Sequence, residues 1–212
     1  MRASHFRGRE ALGASFEMLP CGLFADGGAR MITPDWARYA WENDQRIAGM
    51  TGQKVSELYK EQVLGKERAR FNSGAMNRAL TEVKALWPAL EPVLLNALQT
   101  ARYVDCRDTC SYLVVADITA RLLEREGYQV DASVLSVRLY ADEELGRQTL
   151  VRTSTSQALI RRFDLRGVPQ LLIRSGDVTL PVNSKSLYQG MDALLAEIRA
   201  TADSAGASAT AR

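Results

Sequence analysis

From Thr33 to Phe163 apolar residues recur at helical spacing, and strand-like alternation lies on either side of that block. A chain with this order must bring its two flanks together, because short strands bury their apolar faces by sharing a sheet. Breaks at Gly52, at Phe71-Asn-Ser-Gly74 and at Pro88 divide the block. The spacing predicts helices over 34–49, 54–65, 74–86, 89–102, 109–126, 132–140 and 142–163. Thr33-Pro34-Asp35 reads as a helix start, with threonine as cap and proline at the first helical position. Asp108-Thr109 reads as the cap of the fifth helix and Gly127 as its end.

Before the block, Ala14-Ser-Phe-Glu-Met-Leu-Pro20 alternates apolar and polar residues and is expected to form a short strand. After it, Pro169 to Arg174 and Val178 to Val182 flank Arg174-Ser-Gly-Asp177, a hairpin signal. A final helix over about Leu187 to Thr201 aligns Leu187, Met191, Leu194, Leu195 and Ile198. Residues 203–212, rich in Ala, Ser and Gly, read as a flexible tail.

Composition narrows the function classes. Twenty-seven Lys and Arg against 25 Asp and Glu leave a net charge of +2, too little to argue for nucleic acid or an anionic membrane as a partner. The basic run Lys60 to Arg70 is interrupted by Glu61 and Glu67 and reads as a solvated helix face. No stretch approaches the ~20 apolar residues of a membrane span, and no apolar segment follows the basic start, so a cytoplasmic chain is expected. Three cysteines argue against a disulfide-stapled secreted fold, and one histidine leaves no zinc set. No cofactor or metal is expected; Gly27-Gly28 is too short for a phosphate loop.

A helix, then Gly167-Val168-Pro169, an apolar strand, a tight hairpin and a terminal helix together resemble the second half of a thioredoxin fold. The helical block narrows the resemblance to the DsbA-like group, which includes protein-disulfide-isomerase-like and FrnE-like bacterial proteins. Leu19-Pro-Cys-Gly-Leu-Phe24, Tyr39-Ala-Trp-Glu-Asn-Asp-Gln-Arg46, Met50-Thr-Gly-Gln53, Phe71-Asn-Ser73 and Arg102-Tyr-Val-Asp105 add to it, over about residues 10–200. The resemblance implies an α/β thioredoxin-like fold with a large all-helical insertion. Residues 1–32 would form its N-terminal part, 33–141 the insertion and 142–202 its C-terminal part. It also implies that Pro169 is a cis-proline beside the active site. The bend would leave the Val168 backbone open to an extended, cysteine-containing substrate, which makes Val168 and Pro169 the expected substrate-binding residues. On local sequence alone, a trans proline opening a strand stays an alternative.

The family's chemistry uses a Cys-x-x-Cys at the end of the first strand, where the following helix N-terminus lowers the first thiol's pKa. This sequence has no Cys-x-x-Cys. By comparison with the family, the first strand and the start of the first helix would lie before Met1. Three explanations stay open: a start further upstream, a truncated relative, or a partner chain that completes the sheet.

Cys106-Arg-Asp-Thr-Cys110 supplies the redox candidates within the chain. In a regular helix, β-carbons four residues apart stand about 5–6 Å from each other, and a disulfide needs about 3.5–4.5 Å. With Asp108 and Thr109 as caps, Cys106 would fall in the loop and Cys110 in the first turn. A loop-to-helix disulfide or a thiolate at Cys110 would then be open to the pair; the alternative is two unpaired thiols. Cys21 is expected to pack as a small apolar residue. His5 receives no role, and Trp36, Tyr39, Trp41 and Tyr188 are expected to pack.

Three functions follow from the resemblance. The first is a DsbA-like thiol–disulfide oxidoreductase or isomerase, redox-impaired or truncated as written. The second is a non-catalytic peptide-binding module that keeps the Pro169 loop. The third is a glutathione-dependent enzyme similar to the kappa-class transferases, with Ser4 as its candidate. The expected partner is a cysteine-containing or extended peptide, and a homodimer is compatible with the sequence.

Overall fold

A computed structural model of the chain describes residues 16–66 and 70–210. The chain divides into two compact units, Met18–Gln157 and Met1–Glu17 with Ala158–Arg212.

The first unit is helical. A two-residue strand β1 (Arg30–Met31) precedes α1 (Pro34–Thr51), which starts as its sequence dictates: the Trp36 N–H donates to Thr33 Oγ1 at 3.2 Å, with Pro34 in the first turn. Next come α2 (Glu57–Tyr59), which runs on as a π-helical turn over Lys60–Leu64, and β2 (Arg70–Phe71). β2 pairs antiparallel with β1, Arg30 opposite Phe71. Four helices complete the unit and lead out of it: α3 (Gly74–Leu86), α4 (Glu91–Tyr103), α5 (Tyr112–Arg125) and α6 (Ala132–Ala141), followed by α7 (Glu143–Arg162).

Facing stripes of these helices build the core. Ala75, Ala79 and Val83 of α3 meet Leu94, Leu98 and Ala101 of α4, Val115, Ala116 and Leu122 of α5, Leu135 and Leu139 of α6, and Leu145 of α7. Burial of each Leu or Val contributes about 1.5–3 kcal/mol, and alanines at the crossings let the helix axes approach closely. A second cluster gathers Ala40, Tyr59, Val63 and Leu64 beneath Trp36, Trp41 and Tyr103.

This compact unit reaches beyond residues 33–141 on both sides, and specific bonds explain why. Arg152 Nη2 donates to the Met18 carbonyl at 2.7 Å, Gln157 Nε2 to the Cys21 carbonyl at 3.2 Å, and the Ser73 N–H to the Phe24 carbonyl at 3.0 Å. The same bonds account for a correction. Residues 16–20 of the expected Ala14–Pro20 strand are not in a strand, because the Met18 carbonyl serves a buried guanidinium instead of a ladder. A second correction concerns α5. Ser111, not Asp108 or Thr109, is its cap, with Ser111 Oγ accepting from the Val114 N–H at 3.5 Å; Asp108 Oδ1 instead accepts from the Cys110 N–H at 3.1 Å.

In the second unit, β3 (Leu172–Ser175) and β4 (Val178–Pro181) form the expected hairpin, with Ser175 opposite Val178. The Val182 N–H to Leu171 carbonyl bond, 2.9 Å, carries the pairing one step further. A 3₁₀ turn over Ser184–Tyr188 leads to α8 (Met191–Thr210), which packs on both strands. The helix continues through residues 203–210 of the segment expected to be a flexible tail. Ala205 is fully buried, and alanine is the strongest helix former, so the Ala-rich composition extends the helix rather than fraying it. No helix among the described residues is long and apolar enough to cross a membrane.

Candidate functional site

The loop between α7 and β3 is built from Asp164 to Gln170. Asp164 adopts φ +46° after the helix, and Gly167 adopts φ +76°, a backbone region that favours glycine. The Val168–Pro169 peptide is cis. Val168 is half exposed, and among the described residues neither its N–H nor its carbonyl makes a hydrogen bond. Two main-chain groups of opposite polarity are thus left without a partner among the described residues, shortly before a strand. Gln170 braces them from behind: its Nε2 donates to the Arg166 carbonyl at 3.0 Å and the Gly167 carbonyl at 3.2 Å. Sequence reasoning passed over Gln170, although its place directly after Pro169 was visible.

The thiols lie in the helical unit and are free. Cys106 is a non-glycine residue at φ +57°. Its Sγ lies 3.5 Å from Ser56 Oγ and donates to the Val104 carbonyl at 3.6 Å. Cys110 sits in the turn before α5 rather than in its first turn. Its Sγ accepts from the Asn72 N–H at 3.3 Å and donates to the Arg70 carbonyl at 3.2 Å. The two sulfurs therefore tether the loop to two different segments, the cap of α2 and the edge of β2. Cys21 is half buried and lends its carbonyl to Gln157. Ser4 and His5 lie outside the described residues.

Beside Cys106 and Cys110 stands a charged group enclosed by rings. Arg102, 3% exposed, stacks its guanidinium 4.5 Å from the Phe71 ring centre and 5.7 Å from that of Tyr59. Among the described residues its Nε and Nη2 have no hydrogen-bond partner, so the aromatic faces supply the attraction. The Tyr59 hydroxyl donates to Asp44 Oδ2 at 3.0 Å. Burial raises the Asp44 carboxyl above its usual range, against the opposing pull of the Tyr59 hydrogen bond and the Arg102 charge. Burial also raises the Tyr59 and Tyr103 phenols. Phe71 and Trp36 continue the ring cluster to Phe24. Of the aromatic residues expected to pack, Tyr39 points into solvent and Tyr188 is also exposed.

Among the described residues no group of His, Cys, Asp and Glu could hold a metal ion. No family model matches the sequence, and no curated protein matches it. Solved structures do. One is the cytosolic disulfide reductase DsbM from Pseudomonas aeruginosa, with a TM-score of 0.72 at 21% identity, covering 93% of this chain and 88% of that one. Another is a proposed protein disulfide isomerase from Nitrosomonas europaea, with a TM-score of 0.61 at 18% identity, covering 81% of this chain and 76% of that one. The hairpin that follows the Val168–Pro169 loop, the terminal helix and the large helical unit are thus parts of one known architecture, and the chain has a DsbA-like thioredoxin fold with a helical insertion.

Proposed function

We propose that this chain is a protein of the thiol–disulfide oxidoreductase class that holds an extended, cysteine-containing peptide against the backbone of Val168. The observation that carries this reading is the unpaired N–H and carbonyl of Val168, half exposed and braced by Gln170. An extended peptide would satisfy both groups as an added strand does. The disulfide reductase and isomerase descriptions of the two structures support the choice of cysteine-containing peptides. Three free thiols and the cytosolic description of DsbM support a reducing compartment.

The test is fluorescence anisotropy with a labelled cysteine-containing peptide and a copy N-methylated at the residue before its cysteine. Loss of one main-chain hydrogen bond, about 0.5–1.5 kcal/mol, should weaken binding roughly 2- to 13-fold. Equal affinity for both peptides would rule the backbone pairing out.

One observation favours a second reading, a binding module without turnover: Cys106 and Cys110 are committed to separate partners. Under it, the 212-residue chain binds the peptide but does not accelerate insulin reduction by dithiothreitol. Turnover that is lost in Cys110→Ser would refute it.

A further inference from the structure

Helix α6 is apolar on both sides. Its inner face buries Leu135 and Leu139 in the helical core. Its outer face carries Val134, Val137 and Tyr140, which are 68%, 66% and 72% exposed, with Ala141 completing an i, i+3, i+7 stripe from Val134. Three large apolar side chains on one exposed face of a ten-residue helix form a patch of the kind that marks an interaction site. The one charged residue on this face, Arg138, already has two partners, Glu82 at 3.1 Å and Asp142 at 3.8 Å. At the end of the stripe the Tyr140 ring meets the Tyr112 ring edge-on at 5.4 Å, and the next residue of α5, Leu113, is 68% exposed.

We propose that the outer face of α6 is the contact surface of a homodimer, with a second copy of this chain as its cover. The symmetry of the stripe favours a second copy over an unrelated partner, and the net charge and the exposed area are compatible with one. The stripe is short and nearly symmetric about Val137, so two α6 helices crossing antiparallel place Val137 against Val137, and Val134 against Tyr140 and Ala141. A two-fold contact needs this self-complementarity. A net charge of +2 puts little long-range repulsion between two copies. Finally, Leu113, Val134, Val137 and Tyr140 expose roughly 500 Å² of mostly apolar surface, against about 800 Å² per partner in a standard interface. That area suits a dimer that dissociates on dilution rather than a permanent one.

The test is sedimentation equilibrium of the full chain over about 1 to 200 μM, the range in which a reversible dimer of micromolar affinity dissociates. The wild type should move from monomer to dimer mass across that range. Val137→Glu, which sets like charges face to face, should stay monomeric. Leu150→Glu, at an equally exposed apolar position on α7 (65%), should dimerise like the wild type. Circular dichroism of both variants confirms that they are folded. A wild type that is monomeric throughout, or a dimer indifferent to Val137→Glu, overturns the proposal. Neither result bears on peptide binding at Val168.

Discussion

Arg152 and Glu91 form an ion pair inside the helical unit, with side chains only 11% and 4% exposed. Arg152 also reaches the Met18 carbonyl and, through Nη1, Thr81 Oγ1 at 3.1 Å. One side chain thereby ties α7, α4, α3 and the segment before β1 together.

Truncating Arg152 takes this ion pair from the buried Glu91 carboxylate. Arg152→Ala should cost about 3–5 kcal/mol of stability, read as a lower urea midpoint. An apolar replacement of both partners, Arg152→Met with Glu91→Leu, should recover most of that loss, because neither charge then needs solvation.

The Asp44 carboxyl gives a stability term with a defined sign. Burial raises its pKa, so folding favours the protonated form. The resulting stabilisation is fully present below the ordinary carboxylate range, near pH 4, and is lost as pH rises through the raised value. Asp44→Asn keeps an oxygen for the Tyr59 hydroxyl and removes the titration. Its stability relative to wild type should therefore rise from about pH 4 towards neutrality. A constant difference over that range, in paired denaturation curves, would contradict the assignment.

Cys110 acts as a hydrogen-bond bridge between the α5 turn and β2. Serine can both donate and accept at that place, whereas alanine can do neither. Cys110→Ser should stay within about 1 kcal/mol of wild type, and Cys110→Ala should lose about 1–3 kcal/mol. Thermal melts of the two variants separate a tethering thiol from one that merely fills space.

Gln170 is a positioning residue for the Val168 loop. Gln170→Ala should weaken peptide binding several-fold while moving the melting temperature little, because the loop it braces is exposed. Gln170→Glu keeps the length but not the donor and should not rescue affinity.

Much of the architecture was legible in the chain. Thr33-Pro34, the break at Phe71-Asn-Ser-Gly74 and the Arg174-Ser-Gly-Asp177 hairpin fall where local chemistry placed them, since caps and turns depend on neighbours in sequence. The failures have two causes. Ala14–Pro20 alternates like a strand, yet Met18 answers to Arg152, a residue 134 positions away, and no local window contains that partner. The start of α5 failed on competition: Asp108, Thr109 and Ser111 are all able caps, and Asp108 was taken by the Cys110 turn. The Val168–Pro169 loop was singled out from its sequence, while its neighbour Gln170 was passed over because a glutamine after a proline has no fixed hydrogen-bond partner until the loop has its shape.

The helical unit is one unbroken stretch, Met18–Gln157, whereas the other unit draws on both sides of it. That arrangement imposes an order on biosynthesis. Chains grow at about 5–20 residues per second, slowly enough for helical domains to fold as they emerge. The whole helical core, from Ala75 to Leu145, is synthesised before the hairpin and terminal helix. The helical stretch is therefore complete before the Val168–Pro169 loop and the hairpin that follows it have been made.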